Sequence, residues 1–279
     1  MIGLRMLPPN LRVDYGKAEE VITKFIKDVV RAAGVEGVVI GLSGGGDSAV
    51  TAALAVKALG PERVKVLYLP DMESDPQSAL IANKVADNLG LELHTINITP
   101  AVKELLRLVG LTYGGSDKVV RGNVKVRTRM TMLYAIANNE RRLVLGTSDR
   151  SEWLIGYFTK WGDGSADAYP IIGLYKSQVR EFGKYLGLPI EVTSRPPTPD
   201  LWPGHTAEGE LGITYDLIDQ VLYYVFDEGM RPEDVPKVSG VPMAVVDRVI
   251  ELHERSKHKR EPLNAPFMSF KELKQRFPR

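Results

Sequence analysis

The sequence predicts an α/β fold, in which a parallel sheet is covered by helices on both faces and is followed by a helical C-terminal extension. Short runs rich in Val, Ile and Leu alternate with helical segments over the first half of the chain, which is typical of parallel sheets buried on both sides. A glycine-rich bend, Gly41 to Ser48, follows the first of these runs. From about Ile213 onward the pattern is entirely helical.

Hydrophobic periodicity places each element along the chain. Tyr15 to Ala33 carries apolar residues at helical spacing and ends at Gly34, a common helix terminator. The predicted strands are the short apolar runs Val38–Leu42, Val64–Leu69, Glu92–Ile98 and Leu143–Leu145. The other predicted helices are Asp47–Leu59, Pro76–Leu89, Pro100–Leu108, Asn123–Asn138, Tyr215–Asp227, Pro232–Val238 and Met243–Ser256. The loops that follow the four strands should form one rim, where ligands of such sheets bind.

Length and composition set the outer limits. The 279 residues are 44% hydrophobic and 25% charged, as in an ordinary globular protein. We expect one domain over 1–279, with an α/β core at 15–212 and a helical extension and tail at 213–279. Lys+Arg number 36 against 35 Asp+Glu, so no basic field favours a nucleic acid as the main partner.

Two absences in the sequence exclude several kinds of chemistry. No apolar run approaches the roughly 20 residues needed to cross a bilayer, and MIGLRMLPPN lacks a signal-peptide core, so a cytoplasmic enzyme is expected. The chain contains no cysteine, which excludes disulfides, thiolate zinc sites, a cysteine glutaminase and a persulfide carrier. Any nitrogen it uses must arrive as free ammonia or an amine, or from another chain.

The bend Gly41 to Ser48 reads GLSGGGDS and joins a strand to a helix. Glycines bring backbone N–H groups close to anionic oxygens, and the helix adds the positive end of its dipole. A Walker A loop would carry lysine after its last glycine, whereas Asp47 stands there. Because an acid repels phosphates unless a divalent cation lies between them, Asp47 predicts Mg²⁺. Ser43 and Ser48 offer hydroxyl donors. A plain tight bend is the alternative.

A second constellation follows the last strand and reads LGTSDRSEWLIGYFTKWGDGSADAYPI. It should therefore lie on the same rim as the glycine-rich bend. Glu152 suits a second carboxylate on the same metal, and Lys160 lies in an aromatic loop that suits an anionic, planar group. Taken alone, a solvated acid and core aromatics would be the commoner explanations. Their place beside the bend favours a site.

The C-terminal part leaves another interpretation open. The stretch EDVPKVSGVPMAVVDRVIELHERS, followed by a basic HKR, resembles a helix-turn-helix, although two short helices joined at Gly-Val-Pro also pack together without binding DNA. His253 and His258 are five residues apart, a spacing that does not stack two ligands on one helical face. His94 is expected on a strand face.

The motifs together resemble a known family. The string SGGGDS resembles the PP-loop of the ATP pyrophosphatase superfamily, whose members cleave ATP between the α- and β-phosphates and transfer AMP. With VRGNVKVRTRM, LGTSDRSE, GYFTKWGDGSAD, LYKSQVRE, PPTPDLWPGHTAEGELGITYD and SKHKREP, the chain resembles short, ammonia-dependent NAD synthetases from about residue 18 to 262. The FTKxGDG block separates this family from other PP-loop enzymes.

The resemblance implies a fold and a reaction. The fold is an adenine-nucleotide α-hydrolase-like, Rossmann-like sandwich. The reaction converts deamido-NAD, ATP and ammonia into NAD, AMP and pyrophosphate through an acyl-adenylate, with Mg²⁺ and without a covalent enzyme intermediate. Two alternatives remain: another PP-loop adenylating ligase, tRNA-modifying or purine-amidating, and a non-catalytic nucleotide-binding module.

The resemblance also implies roles for individual residues. ATP would be bound by Gly41, Leu42, Ser43, Gly44, Gly45, Gly46, Asp47, Ser48, Thr147, Lys176 and Thr198. Deamido-NAD would be bound by Arg127, Lys160, Asp167, His258 and Lys259, and Mg²⁺ by Asp47 and Glu152. In relatives the His-Lys pair can come from the partner subunit, because the dinucleotide lies across a homodimer interface; a homodimer is therefore expected.

Some positions depart from the family pattern. Gly46 stands where relatives usually carry a larger residue, which predicts a more permissive loop. Asp149 replaces an expected Asn or His and adds a negative charge whose role stays open, and Ser165 replaces a glycine. Asp163 and Asp167 are both candidates for attracting or deprotonating ammonium. The segment Asp71 to Pro76 should lie near the adenine or ribose.

Overall fold

The structure is a computed structural model that describes residues 7–261, so part of the predicted C-terminal tail lies outside it. The strands are β1 (Gly37–Gly41), β2 (Val64–Tyr68), β3 (Leu93–Thr95) and β4 (Arg142–Val144). The first helices are α1 (Tyr15–Ala33), α2 (Gly46–Leu59), α3 (Pro76–Leu89), α4 (Thr99–Leu108) and α5 (Lys118–Asn139). They are followed by α6 (Arg150–Ile155), α7 (Lys176–Tyr185), α8 (Ile190–Thr193), α9 (Ala207–Leu211), α10 (Tyr215–Leu222), α11 (Val235–Ser239), α12 (Met243–Arg255) and α13 (Lys257–Arg260).

The sheet is parallel, as predicted, and its strand order is β3-β2-β1-β4. Strand β1 is central, and its Val39 lies opposite Lys65 of β2 and Val144 of β4. Since every strand runs in the same direction, the loops after β1, β2 and β4 leave the sheet at one edge. This edge carries the glycine-rich bend.

Helices cover both faces of the sheet. Helix α2 is almost entirely buried between the sheet and its neighbours, which explains why its sequence lacks an amphipathic stripe. On the other face, Val39 and Leu67 pack with side chains from α4 and α5, including Val102 and Met130. The α/β sandwich predicted from the sequence is confirmed.

Two boundaries differ from the predictions for local reasons. Strand β3 spans only Leu93–Thr95, although the ladder continues irregularly through the bond from Ile96 N to the carbonyl of Tyr68. Helix α5 begins at Lys118, earlier than predicted, because the Asp117 carboxylate caps it by accepting hydrogen bonds from the N–H groups of Val119 and Val120.

The predicted helix Tyr215–Asp227 is α-helical only as far as Leu222, and a π-turn covers Tyr223–Asp227. Single 3-10 turns occur at Pro9–Leu11, Pro61–Arg63 and Pro232–Asp234. Helices α6 to α9 lie in a stretch where the sequence predicted no helix, since each is short or interrupted by loops.

The C-terminal helices form a second apolar cluster together with residues of α6 and the start of α7. Ile218 and Val249, from α10 and α12, pack with Ile155 of α6 and with Tyr175, which precedes α7. Because α6 and α7 both begin at the rim of the sheet, this cluster supports the rim from behind. Among residues 7–261, no helix is long and apolar enough to cross a membrane.

Candidate active site

A cavity of about 720 Å³ opens beyond the carboxyl ends of the strands. Its walls come from the 41–48 bend, the loops after β2 and β4, helix α5, and the non-regular segment 194–206 that follows α8. It is therefore the place where the fold predicts a ligand.

The glycine-rich bend is fixed by its own backbone and two serines. Gly44 has a φ of +83°, and a Cβ there would lie 2.5 Å from the Ser78 carbonyl oxygen, so only glycine fits. The hydroxyl of Ser48 donates to the carbonyl of Gly45 at 3.0 Å and accepts from the N–H of Ser43 at 3.2 Å. These bonds, together with the bond from the N–H of Gly45 to the Ser43 hydroxyl at 3.2 Å, fix the shape of the loop at the start of α2.

The loop's other predicted ATP residues are placed by the strand and the helix that flank it. Leu42 is fully buried, and its N–H donates to the carbonyl of Leu67 at 2.8 Å. Gly41 ends β1, Gly45 caps α2, and Gly46 opens that helix. A Cβ on Gly46 would meet only the Val192 carbonyl, at 3.9 Å, so the position has room for a side chain.

Four charged side chains meet where the bend faces the loop after β4. The Lys176 ammonium lies 2.8 Å from Asp47 Oδ2, 2.8 Å from Asp149 Oδ2 and 2.7 Å from Glu152 Oε1. One oxygen of each of the three acids lies within 4.8 Å of the others. We call these four residues the carboxylate–lysine cluster. It unites residues from three places in the sequence, since Asp149 and Glu152 both belong to the start of α6.

Asp149 is the member that the sequence left without a role. Its side chain is fully buried, and its Oδ1 caps α6 by accepting a hydrogen bond from the N–H of Glu152 at 2.8 Å. Its Oδ2 faces Lys176. The signal that could have revealed it is the spacing Asp-x-x-Glu, in which a helix N-cap aims the following acid toward the same point.

Burial strongly affects the protonation of this cluster. Loss of solvent raises the pKa of Asp149 to about 7 and raises that of Glu152 well above its usual range. Burial alone would lower the pKa of Lys176, but the carboxylates of Asp149, Asp47 and Glu152 outweigh it and raise that pKa well above normal. The lysine is therefore held as a cation among the acids.

The oxygens of this cluster suit a hard divalent cation. Carboxylate oxygens are the donors that Mg²⁺ prefers, and Asp47, Asp149 and Glu152 bring three of them together. Asp47 Oδ1 is also buried and makes no hydrogen bond within the described part of the chain. These residues could hold a metal, with Asp149 added to the pair predicted from the sequence.

The remaining predicted ATP residues line the same cavity. Thr147 follows β4 and lies on the cavity wall. Thr198 also lines it, and its hydroxyl donates to the His205 carbonyl at 2.5 Å and accepts from the N–H of Asp200 at 3.1 Å. Thr198 thus shapes the segment that covers the cavity.

The residues predicted for deamido-NAD are arranged differently, and most lie outside the cavity wall. Arg127 is exposed and donates to the Lys160 carbonyl at 3.2 Å, while Lys160 Nζ donates to the His258 carbonyl at 2.9 Å. His258 is exposed in α13. These three residues form a chain of contacts along the surface beside the cavity.

Asp167 and Lys259 differ in their relation to the cavity. Asp167 accepts hydrogen bonds from the N–H of Val144 at 2.7 Å and from the Tyr134 hydroxyl at 3.1 Å. It therefore satisfies the last backbone N–H of β4. Lys259 lines the cavity, and its ammonium donates to the carbonyls of Gly156 and Phe158, each at 2.7 Å. Burial lowers the pKa of Lys259.

The cavity also contains charged residues that the sequence reasoning missed or left undecided. Arg129, two positions after Arg127 on α5, points to the opposite side of the helix and lines the cavity. Its guanidinium donates to the Leu69 carbonyl at 2.9 Å. Helical phase would have distinguished the two arginines. Asp163 also lines the cavity, and Arg195 donates to Asp75 at 2.8 Å.

The fold and the site together define a nucleotide-binding α/β protein of the PP-loop class. The family model described as NAD synthase matches residues 18–263, and the chain belongs to that family. It is 48% identical to the NH(3)-dependent NAD(+) synthetase of Hyperthermus butylicus, over 92% of each chain.

Solved structures show the same architecture. An NMN synthetase from Francisella tularensis matches with a TM-score of 0.81 and 36% identity, over 92% of this chain and 100% of that chain. An NH3-dependent NAD synthetase from Campylobacter jejuni matches with a TM-score of 0.76 and 26% identity, over 92% and 100%. The resemblance inferred from the motifs is confirmed at the level of family and fold.

Proposed function

We propose that the chain is an ammonia-dependent NAD synthetase that amidates deamido-NAD with ATP and ammonia, giving NAD, AMP and pyrophosphate. The observation that carries the proposal is the carboxylate–lysine cluster at the mouth of the glycine-rich bend, in a chain of the NAD synthase family. The cluster supplies acids for a metal and a cation for a departing phosphate at the edge of one cavity.

We propose that Mg²⁺ is held by Asp47 and Glu152, with Asp149 beside them. When bound, the ion would neutralise phosphate charge and polarise the phosphoryl oxygens. Lys176 is a compact cation that can follow the β- and γ-phosphates as they leave. The N-terminus of α2 directs the positive end of its dipole toward the same oxygens, and Ser43 and Ser48 fix the bend that precedes this helix.

The first step forms an adenylate. An oxygen of the nicotinate carboxylate attacks the α-phosphorus of ATP, the bond to the β-phosphate oxygen breaks, and pyrophosphate leaves with its electron pair. Charge accumulates on the leaving oxygens, where Lys176 and the N-terminus of α2 stabilise it. No side chain of the enzyme needs to form a covalent bond.

The second step forms the amide. Ammonia attacks the acyl carbon of the adenylate, the bond to the AMP oxygen breaks, and a proton is released. Asp163 is the better of the two candidate acceptors, because it lines the cavity and Asp167 does not. Each carboxylate accepts a backbone N–H, from Thr159 at 2.7 Å for Asp163 and from Val144 at 2.7 Å for Asp167. Partial desolvation raises the pKa of the Asp163 carboxyl, although the residue stays exposed to solvent.

The test is direct turnover by the purified chain. ATP, deamido-NAD, ammonium and Mg²⁺ should yield NAD, AMP and pyrophosphate in equal amounts, measured by chromatography. Glutamine should not replace ammonium, because the chain has no cysteine to release ammonia from it. ATP binding without pyrophosphate release would favour the nucleotide-binding module. Release of pyrophosphate with another acceptor, but not with deamido-NAD, would favour another PP-loop ligase.

A second candidate function differs only in the acceptor. Because the NMN synthetase of Francisella tularensis is 36% identical over 92% of this chain, the mononucleotide deamido-NMN is a reasonable alternative substrate for the same chemistry. Side-by-side assays with the mononucleotide and the dinucleotide decide between them. A larger kcat/KM for deamido-NMN than for deamido-NAD would mean that the mononucleotide, and not the proposed dinucleotide, is the preferred substrate.

We also propose that the protein is a homodimer. Leu105, Leu108 and Val109 at the end of α4, with Val119 and Val120 at the start of α5, leave apolar side chains exposed, and Val119 also lines the cavity. Exposed apolar side chains of this kind mark an interaction surface. Sedimentation should give twice the monomer mass, and the pair L108D and V120D should lower it. A monomeric wild-type protein would contradict the proposal.

A further inference from the structure

Helix α7 begins with Lys176, and the N–H groups of its first two residues are bonded to side chains outside the helix. A helix leaves its first four N–H groups without internal partners, and Ser, Thr, Asp or Asn usually satisfies one of them from the N-cap position. The N-cap here is Tyr175, whose N–H donates to Gln178 Oε1 of the helix at 2.8 Å and whose hydroxyl is bonded to Asp227, so neither group reaches the N–H of Lys176 or Ser177. The start of the helix that carries Lys176 therefore depends on groups from elsewhere.

Asp219 caps the start of α7 from the C-terminal helices. This residue of α10 is completely buried, and its Oδ2 accepts the N–H of Ser177 at 2.8 Å. Its Oδ1 accepts the hydroxyl of Ser151 at 2.5 Å, and that hydroxyl oxygen accepts the N–H of Lys176 at 2.9 Å. One carboxylate thus satisfies the first two N–H groups of α7, one directly and one through a serine.

The same carboxylate also reaches the helix that carries Glu152. Ser151 lies directly before Glu152 in α6, so the bond from Ser151 to Asp219 fixes both helix starts to one point. One turn earlier on α10, the buried ring of Tyr215 lies 5.2 Å from the Lys176 ammonium. A cation is attracted to such a ring face. Helix α10 therefore reaches Lys176 in two ways. Asp219 is linked to the backbone N–H of Lys176 through the Ser151 hydroxyl, and the Tyr215 ring lies beside the Lys176 ammonium.

We propose that Asp219 is a positioning residue for Lys176 and Glu152, acting through Ser151 and the N-terminus of α7. A buried carboxylate at a helix start is oriented by the N–H groups and the dipole it faces. Its removal lets the first turn of α7 move, and the ammonium then leaves its place among the three acids. The C-terminal helices thus set the geometry of a cluster to which they contribute no member.

The test compares D219N with the wild-type chain, and it rests on the proposed function. Asparagine keeps the size of the side chain but removes the charge and one of the two acceptors. We expect kcat to fall roughly 10- to 100-fold, as for other groups that orient catalytic ligands, with a much smaller change in KM for ATP. S151A should act in the same direction. The double variant should lose no more than the worse single one, because both act through one contact.

The matched control is D247N, the same substitution at an exposed position of α12 in the same group of C-terminal helices. Because Asp247 does not line the cavity, D247N should keep its kcat. An unchanged kcat in D219N, or a drop only in thermal midpoint, overturns the inference, as does additivity of D219N and S151A.

A crystal structure of D219N supplies a readout that needs no turnover. We expect Lys176 Nζ to have lost contact with at least one of the three acids, whereas an unmoved lysine overturns the inference. If the wild-type chain makes no NAD, the proposed function fails, and the position of Lys176 in D219N still decides the role of Asp219.

Discussion

The two ends of the candidate site are built in different ways. At the proposed phosphate end, Lys176 lies within 2.8 Å of each of three carboxylates, two of them from the start of α6, and the contacts are buried or partly buried. At the other end, on the surface beside the cavity, Arg127, Lys160 and His258 form a chain of exposed contacts through backbone carbonyls. The first end is complete within one chain, whereas the second presents its charges at an open surface.

This difference separates two tasks. The phosphate end must hold charge that develops during the reaction, which requires preorganised and desolvated groups. The open end needs only to recognise a ligand, and a second subunit would complete it if the proposed dimer forms. Substitutions at the first end should therefore change kcat, and those at the second should change KM.

The largest expected effect is that of D47N. The substitution removes a negative charge from the proposed metal site, so turnover that depends on Mg²⁺ should be abolished while the circular dichroism spectrum stays native. Steady-state assays across a Mg²⁺ titration measure this. D28N, an exposed acid of α1, is the control. Near-normal activity in D47N would remove Asp47 from the metal site.

The next effect is that of K176M. Without the ammonium, the buried Asp149 and the partly buried Asp47 and Glu152 face one another, and the charge on departing pyrophosphate loses its partner. By analogy with the loss of one oxyanion donor, kcat should fall about 100- to 1,000-fold. Urea unfolding should also show a loss of stability. K184M, on the exposed side of α7, should leave both quantities near wild type, and a K176M enzyme with normal kcat would contradict the comparison.

A pair of glycine substitutions tests the loop itself. G44A forces a side chain into a left-handed backbone, at a cost of about 1–2 kcal/mol, and against the Ser78 carbonyl, so KM for ATP should rise. G46A places alanine at an open helix position and should be neutral or stabilise the fold by about 0.5–1 kcal/mol. Urea unfolding and ATP titration measure both. Equal damage in the two variants would mean that Gly46 has a role in binding.

The smallest effect should come from K160A. Lys160 contacts a backbone carbonyl at the surface, so its loss should raise KM for deamido-NAD, with little change in kcat. The rise should be several-fold and at most about 10-fold, which corresponds to a loss of about 1.4 kcal/mol of binding free energy. Initial rates at saturating ATP provide the measurement. A fall in kcat as large as that of K176M would show that the two ends do not divide binding and chemistry as proposed.

The contacts of Asp149 and Asp219 show why part of the candidate site could not be predicted from the sequence. Asp47, Glu152 and Lys176 belong to strings that carry a pattern, whereas Asp149 appeared only as an unexplained charge. Asp219 lies in an ordinary helical stretch, and its role depends on accepting the N–H of Ser177 at the start of α7, 42 residues away along the chain. Nothing local to either segment indicates that contact.

Arg127 and Arg129 illustrate a second limit. Both occur in one basic string, and the family resemblance pointed to Arg127. Helical geometry sends the two side chains to different sides of α5, and Arg129 is the one that lines the cavity. The assignment of Arg127 to the substrate stays a prediction, tied to the proposed dimer.

The sequence by itself determined the parallel α/β fold, the glycine-rich bend and the family, because periodicity, glycine requirements and short motifs are local properties of the chain. Tertiary structure alone decided that Asp149 joins Asp47 and Glu152 around Lys176, that Arg129 faces the cavity, and that Asp219 caps the helix of the lysine. The physical reason is that burial and hydrogen-bond satisfaction are settled between segments far apart in sequence, where a group left unpaired would be costly.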